Sequence, residues 1–146
     1  MTCEELMTRS PKCCVPSDSA VRAARMMKIE DVGSLPVCSD EHSRRLVGII
    51  TDRDLCLEIV AEGRDPNSIT VDACMTREPV TCRIDEELES ALDRMEANQI
   101  RRIPVVDASG MLAGIISQAD IATRLGSPRR TAEMVEEISR PSTGNL

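Results

Sequence analysis

The sequence predicts an α+β protein made of two tandem copies of one βαββα unit, packed sheet to sheet with pseudo-two-fold symmetry. Three observations carry this reading. The chain matches itself at a nearly constant offset. Each copy alternates an extended run, an amphipathic helix, two apolar strands and a closing helix. One copy alone, about 60 residues long, buries too little surface to be robust, so the two are expected to share one compact module.

The repeat sets the frame, because a missed repeat misassigns the whole fold. At an offset of 68 residues, Met7-Thr8-Arg9 falls on Met75-Thr76-Arg77, Pro11 on Pro79, Cys14 on Cys82, Ala23 on Ala91 and Met27 on Met95. Pro36-Val37 falls on Pro104-Val105. Beyond residue 39 the second copy is two residues shorter, and Leu46, Gly48-Ile49-Ile50 and Asp54 fall on Leu112, Gly114-Ile115-Ile116 and Asp120 at an offset of 66. This register places one copy in residues 1–65, a second in 66–127, and a C-terminal helix and tail in 128–146.

Each element follows from local pattern. Lys12–Val15 and Val80–Ile84 read as short extended runs. The next helix shows apolar residues at i, i+3, i+4 and i+7: Ala20, Ala23, Ala24 and Met27 in one copy, and Leu88, Ala91, Leu92 and Met95 in the other. Ser17 and Asp85 are the expected N-caps, with Glu86-Glu87 favouring the positive helix start. Strands follow at Leu35–Cys38 and Leu46–Thr51, and at Ile103–Asp107 and Met111–Ser117. The second pair turns at Ala108-Ser109-Gly110, and the first has a longer polar loop holding His42. Helices over Asp52–Glu62 and Gln118–Leu125 close the copies, and Arg64-Asp65-Pro66-Asn67-Ser68 is the linker. In the tail, Pro128-Arg129-Arg130 breaks the pattern. Thr131–Ser139 is expected as a short helix with Met134, Val135 and Ile138 on its apolar face, and Ser142-Thr143-Gly144 is expected to be disordered.

Composition narrows the function. The 146 residues are 41% apolar and carry a net charge of −7. That balance argues against a nucleic acid or an anionic membrane as the main partner, since either needs a basic face. There is no Phe, Tyr or Trp, so bases cannot be stacked on aromatic rings. The seven cysteines (3, 13, 14, 38, 56, 74 and 82) include no C-x-x-C, and His42 is the single histidine. No structural metal site is therefore expected. With neither a signal peptide nor an apolar run of membrane length in view, the thiols read as reduced, mostly buried residues of a cytoplasmic protein. Cys13-Cys14 is the one pair considered for redox sensitivity.

The sharpest motif ends each copy's last strand: Gly48-Ile-Ile-Thr51-Asp-Arg-Asp54 and Gly114-Ile-Ile-Ser117-Gln-Ala-Asp120. Glycine admits a close approach to the backbone. The hydroxyl stands where strand becomes helix, and the carboxylate one turn in. Two readings are open. Thr/Ser-x-x-Asp is a variant of the capping box, in which the acid reaches back to the N-cap amide. The same groups also match a mononucleotide: a helix start attracts phosphate, the hydroxyl donates to it, and the carboxylate accepts from ribose hydroxyls.

The Met-Thr-x-x-Pro starts, the Leu35-Pro36-Val37 and Ile103-Pro104-Val105 strands, and the Gly-h-h-Ser/Thr-x-x-Asp ends (h, apolar) together resemble the cystathionine-β-synthase (CBS) domain family over about residues 3 to 126. The resemblance implies βαββα units in pairs that bind AMP, ADP, ATP or S-adenosylmethionine in clefts between the copies and often dimerise into a disc. Carried over, Thr51 and Ser117 would touch phosphate, and Asp54 and Asp120 would hold ribose. Thr8, Thr76 and backbone near Lys12 and Val80 would border the clefts, and Leu35-Pro36 and Ile103-Pro104 would pack on adenine. Arg101 and Arg102 stand where family members place basic phosphate ligands, whereas the first copy has Gly33-Ser34 there. Arg53 lies inside the first motif, and Ala119 replaces it in the second. Arginine suits phosphate through its permanently charged fork. The competing role for these arginines is surface salt bridging.

No Ser-His-Asp set, P-loop or dinucleotide glycine motif is present, so no enzyme is expected. The reading is a regulatory adenine-nucleotide sensor that requires no cofactor, forms a homodimer and acts on an unidentified effector protein. The alternative is a ligand-free structural or protein-interaction module.

Overall fold

A computed structural model describes residues 1–141, so the Ser142-Thr143-Gly144 end lies outside the described residues. The elements run α1 (Cys3–Leu6), β1 (Thr8–Arg9), α2 (Ala20–Glu30), β2 (Ser34–Cys38), β3 (Leu46–Thr51), α3 (Asp52–Leu55), β4 (Thr76–Arg77), β5 (Cys82–Arg83), α4 (Leu88–Asn98), β6 (Arg102–Val106), β7 (Leu112–Ser117), α5 (Gln118–Arg124) and α6 (Pro128–Ser139). A π turn, Cys56–Val60, continues α3, and a 3-10 turn spans Val71–Ala73.

The fold is α+β with two compact units, and the units exchange their leading segments. The first-copy unit comprises Pro11–Pro79 with Gly110–Leu112. The second-copy unit comprises Met1–Ser10, Val80–Ser109 and the chain from Ala113 onward. Each Met-Thr-Arg segment thus pairs with the last strand of the other copy. Thr8 and Arg9 of β1 lie antiparallel to Ile115 and Gly114 of β7. Thr76 and Arg77 of β4 lie against Ile49 and Gly48 of β3.

The glycines of the two motifs make this pairing possible. A Cβ on Gly114 would lie 2.5 Å from Met7 Sδ and 2.7 Å from the Thr8 carbonyl oxygen. One on Gly48 would lie 2.8 Å from the Thr76 carbonyl oxygen and 2.9 Å from Met75 Sδ. The close approach is therefore that of a neighbouring strand.

In the second-copy unit the sheet order is β1-β7-β6-β5, with β5 parallel to β6. In the first-copy unit the order is β2-β3-β4, and a parallel bridge from Cys14 to Val37 stands where the fourth strand would be. The expected extended runs accordingly shrink to Cys82–Arg83 in one copy and to Cys14 in the other. One core gathers Leu6, Leu92, Met95, Ile103, Ile116 and Ile121, and the other Ala23, Met27, Leu35, Ile50, Ile59 and Val71.

Several local expectations are corrected. The N-caps are Ser19, whose hydroxyl accepts from the Arg22 amide at 3.1 Å, and Glu87, rather than Ser17 and Asp85. Ser17 lies in the preceding turn, where Asp18 accepts from the Val15 amide, and Asp85 pairs with Arg83 at 3.3 Å instead of capping the helix. Ala24 is exposed while its three stripe partners are buried. The Arg64–Ser68 linker is stitched to α2: the Ala20 amide donates to Ile69 O at 2.8 Å and the Val21 amide to Pro66 O at 3.3 Å. Helix α6 begins at Pro128, not Thr131. Ser127 caps it and proline takes the first turn, where its missing N–H is harmless. Met134 and Ile138 are buried as expected, but Val135 is 41% exposed. Among the described residues no helix is long and apolar enough to cross a membrane.

Candidate functional site

Both Gly-h-h-Ser/Thr-x-x-Asp ends form reciprocal capping boxes. The Thr51 amide donates to Asp54 Oδ2 at 2.9 Å, and the Asp54 amide donates back to Thr51 Oγ1 at 3.0 Å. The Ser117 amide donates to Asp120 Oδ2 at 3.0 Å, and the Asp120 amide returns to Ser117 Oγ at 3.2 Å. The capping reading is therefore realised in both copies. Each box occupies one carboxylate oxygen and one of the first helical amides, and α3 and α5 are only four and seven residues long. Any pull on a phosphate at these junctions thus falls to side-chain cations rather than to a helix start.

The remaining carboxylate oxygens differ. Asp120 Oδ1 accepts from Thr8 Oγ1 at 3.4 Å, so the exchanged N-terminal segment completes the second-copy junction. At the first-copy junction, among the described residues, no donor reaches Asp54 Oδ1.

The strand before each junction sharpens the contrast. The Gln118 amide donates to Arg101 O at 3.0 Å, and the Asp52 amide donates to Gly33 O at 2.8 Å. These equivalent bonds hold Arg101-Arg102 beside Ser117-Gln118, and Gly33-Ser34 beside Thr51-Asp52. A Cβ on Gly33 would lie 3.0 Å from Asp52 Oδ2, so a carboxylate leans over the position that corresponds to Arg101. Asp52 and Gln118 occupy the same register, a position that the motif leaves open.

Two polar atoms near the junctions are buried without a partner: Ser34 Oγ and Gln118 Nε2. A buried polar atom left unpaired is costly, so each is a place where an incoming polar group would be stabilised. Among the described residues, Arg53, Arg101 and Arg102 make no ion pair.

The other expected positions divide. Lys12 is exposed and Val80 half-buried. Leu35 and Ile103 lie inside their own unit's core at 1% and 0% exposure, and Pro36 and Pro104 turn their carbonyls to the Cys14 and Cys82 thiols at 3.8 Å.

The adjacent thiols are unlike. A hydrogen bond with Cys38 lowers the Cys13 thiol to about 7 against the opposing effect of burial. Burial, with Asp18 nearby, pushes Cys14 up to about 12.

The CBS domain model matches residues 3–61 and 70–127. Hypoxic response protein 1 of Mycobacterium tuberculosis is 33% identical over 124 residues, spanning 85% of each chain. The crystal structure of Hypoxic Response Protein I with two coordinated zinc ions superposes with a TM-score of 0.76 at 32% identity, over 85% of this chain and 98% of that one. Arabidopsis thaliana CBSX2 in complex with AMP gives 0.72 at 28% identity, over 85% and 95%. The CBS domain pair of protein MJ0100 in complex with 5-methylthioadenosine and S-adenosylmethionine gives 0.74 at 28% identity, over 86% and 96%.

Proposed function

The chain belongs to the CBS domain family, and on that premise we propose that it is a non-catalytic regulatory module that binds an adenosine-containing ligand: AMP, ADP, ATP or S-adenosylmethionine. The observation that carries this reading is the second-copy junction. There the ion-pair-free Arg101 and Arg102 flank Ser117, Asp120 and the unpartnered Gln118 Nε2. Arginine forks meet phosphate, Gln118 Nε2 gains an acceptor, and Asp120 accepts from ribose in place of Thr8. The AMP-bound CBSX2 and the S-adenosylmethionine-bound MJ0100 pair support the ligand class. The first-copy junction, with Asp52 over Gly33, repels phosphate and favours a ligand without one. Ligand binding acts on an effector protein through a homodimer whose populations it shifts by its differential affinity for two states.

A second reading, a ligand-free interaction module, draws on the capping boxes, which satisfy the motif hydroxyls and carboxylates internally. Calorimetry with AMP, ADP, ATP and S-adenosylmethionine separates the two. The sensor reading expects saturable binding of at least one of them, weakened by Asp120→Asn. Absence of heat with all four, supported by unchanged melting temperatures, favours the interaction module.

A further inference from the structure

The second-copy unit holds a buried cluster that the nucleotide reading does not use. Cys3 Sγ, Cys82 Sγ and a Glu86 carboxylate oxygen all lie within 4.8 Å of one another, and the two cysteines are 0% and 1% exposed. We propose that these three side chains form a Zn²⁺ site that clasps the N-terminal segment onto the second-copy unit.

The backbone holds the ligands in place before any ion arrives. The Cys3 amide donates to Glu86 O at 2.9 Å, the Glu4 amide to Ile84 O at 3.2 Å, and the Leu88 amide to Met1 O at 2.9 Å. Cys82 sits in β5, fastened to β6 by parallel pairing with Val105. Two thiolates at about 2.3 Å and a carboxylate oxygen at about 2.0–2.2 Å are ordinary zinc ligands. Tetrahedral placement of such ligands fits sulfurs and oxygen already this close together.

Charge selects a divalent ion. Arg94 grips Glu86 with Nη1 to Oε2 at 3.0 Å and Nη2 to Oε1 at 3.3 Å, and each oxygen keeps a further lone pair for a metal. Carboxylate and guanidinium already cancel. Binding breaks two S–H bonds and sends two protons to solvent, while two Zn–S bonds and one Zn–O bond form. The ion brings two positive charges as two protons leave, so the buried cluster stays neutral. A monovalent ion on two thiolates would leave an uncompensated negative charge, which burial penalises. Thiolate softness disfavours Mg²⁺ and Ca²⁺.

The first-copy unit supplies an internal contrast. Its counterparts are Cys14, Val71 and Asp18, with the same backbone bond from the Val71 amide to Asp18 O at 2.8 Å. A single thiol remains there, because valine occupies the place of Cys3.

The test uses the full chain, reduced, stripped by chelator and titrated with Co²⁺ and then Zn²⁺. The site expects a thiolate-to-cobalt charge-transfer band saturating at about one equivalent, displaced by Zn²⁺. Cys3→Val, which copies Val71, and Cys82→Ser lose the band with circular dichroism unchanged. Cys56→Ser, at an exposed thiol, keeps it. Should Cys3→Val fail to fold, Glu86→Gln leaves both thiols in place and weakens Zn²⁺ binding by more than the roughly tenfold that even outer partners cost. A wild-type chain without the band, a band that survives Cys3→Val, a Glu86→Gln chain of unchanged affinity, or loss of the band in Cys13→Ser overturns the site. None of these outcomes depends on nucleotide binding.

Discussion

The outer faces of helices α4 and α2 occupy the same place in the two copies and carry opposite charge. On α4, Glu89, Asp93 and Glu96 receive Arg130 of α6, with Arg130 Nε 3.1 Å from Glu89 Oε2 and Nη2 3.5 Å from Asp93 Oδ1, and with Nη1 on Glu96. Their counterparts on α2 are Val21, Arg25 and Lys28. Helix α6 therefore matches α4 and would meet repulsion on α2. The stripes beneath, Leu88-Ala91-Met95 and Ala20-Ala23-Met27, stayed apolar. The faces toward each core are alike because both must pack, whereas the outer faces differ and that of α4 carries helix α6.

The contrast can be broken most forcefully at that added helix. Met134 is fully buried in the second-copy core, and Met134→Ala should cost about 2–5 kcal/mol. Urea denaturation reads the loss, and hydrogen exchange should show amides of the second-copy unit opening before those of the first-copy unit. Equal opening of both would mean that α6 does not set the stability of one unit.

The glycines come next. Gly114→Ala should cost about 1–3 kcal/mol, because its Cβ overlaps Met7 and the Thr8 backbone. Gly48→Ala, with slightly longer approaches, should cost less, and chemical denaturation of the two variants ranks them. Loss of AMP affinity on removing Arg101 or Arg102 is expected at about 1.5–3 kcal/mol, the range for charged hydrogen bonds. Arg53→Ala, beside Asp52 and Asp54, should change it less. Calorimetry of the three variants tells the junctions apart.

The smallest effect concerns reactivity rather than stability. Iodoacetamide reacts with thiolate, and Cys13 titrates at about 7 against about 12 for Cys14. Labelling of Cys13 should rise with pH and reach half its limiting rate near pH 7, while Cys14 stays unlabelled through neutral pH. Mass spectrometry of the tryptic fragments separates this outcome from equal labelling.

Most of the strand and helix order was legible, because a repeat reports each element twice: Leu46–Thr51 was placed without error, and Gln118–Arg124 within one residue. The exchange of leading segments was not legible. Met-Thr-Arg occurs in both copies, so the pattern carries no information about which sheet edge each segment joins. The candidate site was legible as a motif of hydroxyls and carboxylates with nearby arginines, but the contrast between Asp52 and Gln118 was not, because they fill an open position of the motif. Nor was the Cys3–Cys82 pair legible: metal sites are sought at short paired spacings, and here the fold closes the distance between chain-distant thiols. Helix α6 starts three residues before the predicted Thr131, because proline suits the first turn of a helix that Ser127 caps.

The exchanged segment also sets an order of events during synthesis. Pro11–Pro79 can condense early, lacking only Gly110–Leu112. Met1–Ser10 is made long before its partner strand β7, which ends at Ser117, and cannot pair until that strand emerges. At about 5–20 residues per second this delay lasts several seconds or more. Through that interval Leu6 and Met7, buried in the finished chain, remain in water. Met1–Ser10 thus belongs to the second copy, and a fusion placed before Met1 burdens that copy rather than the first.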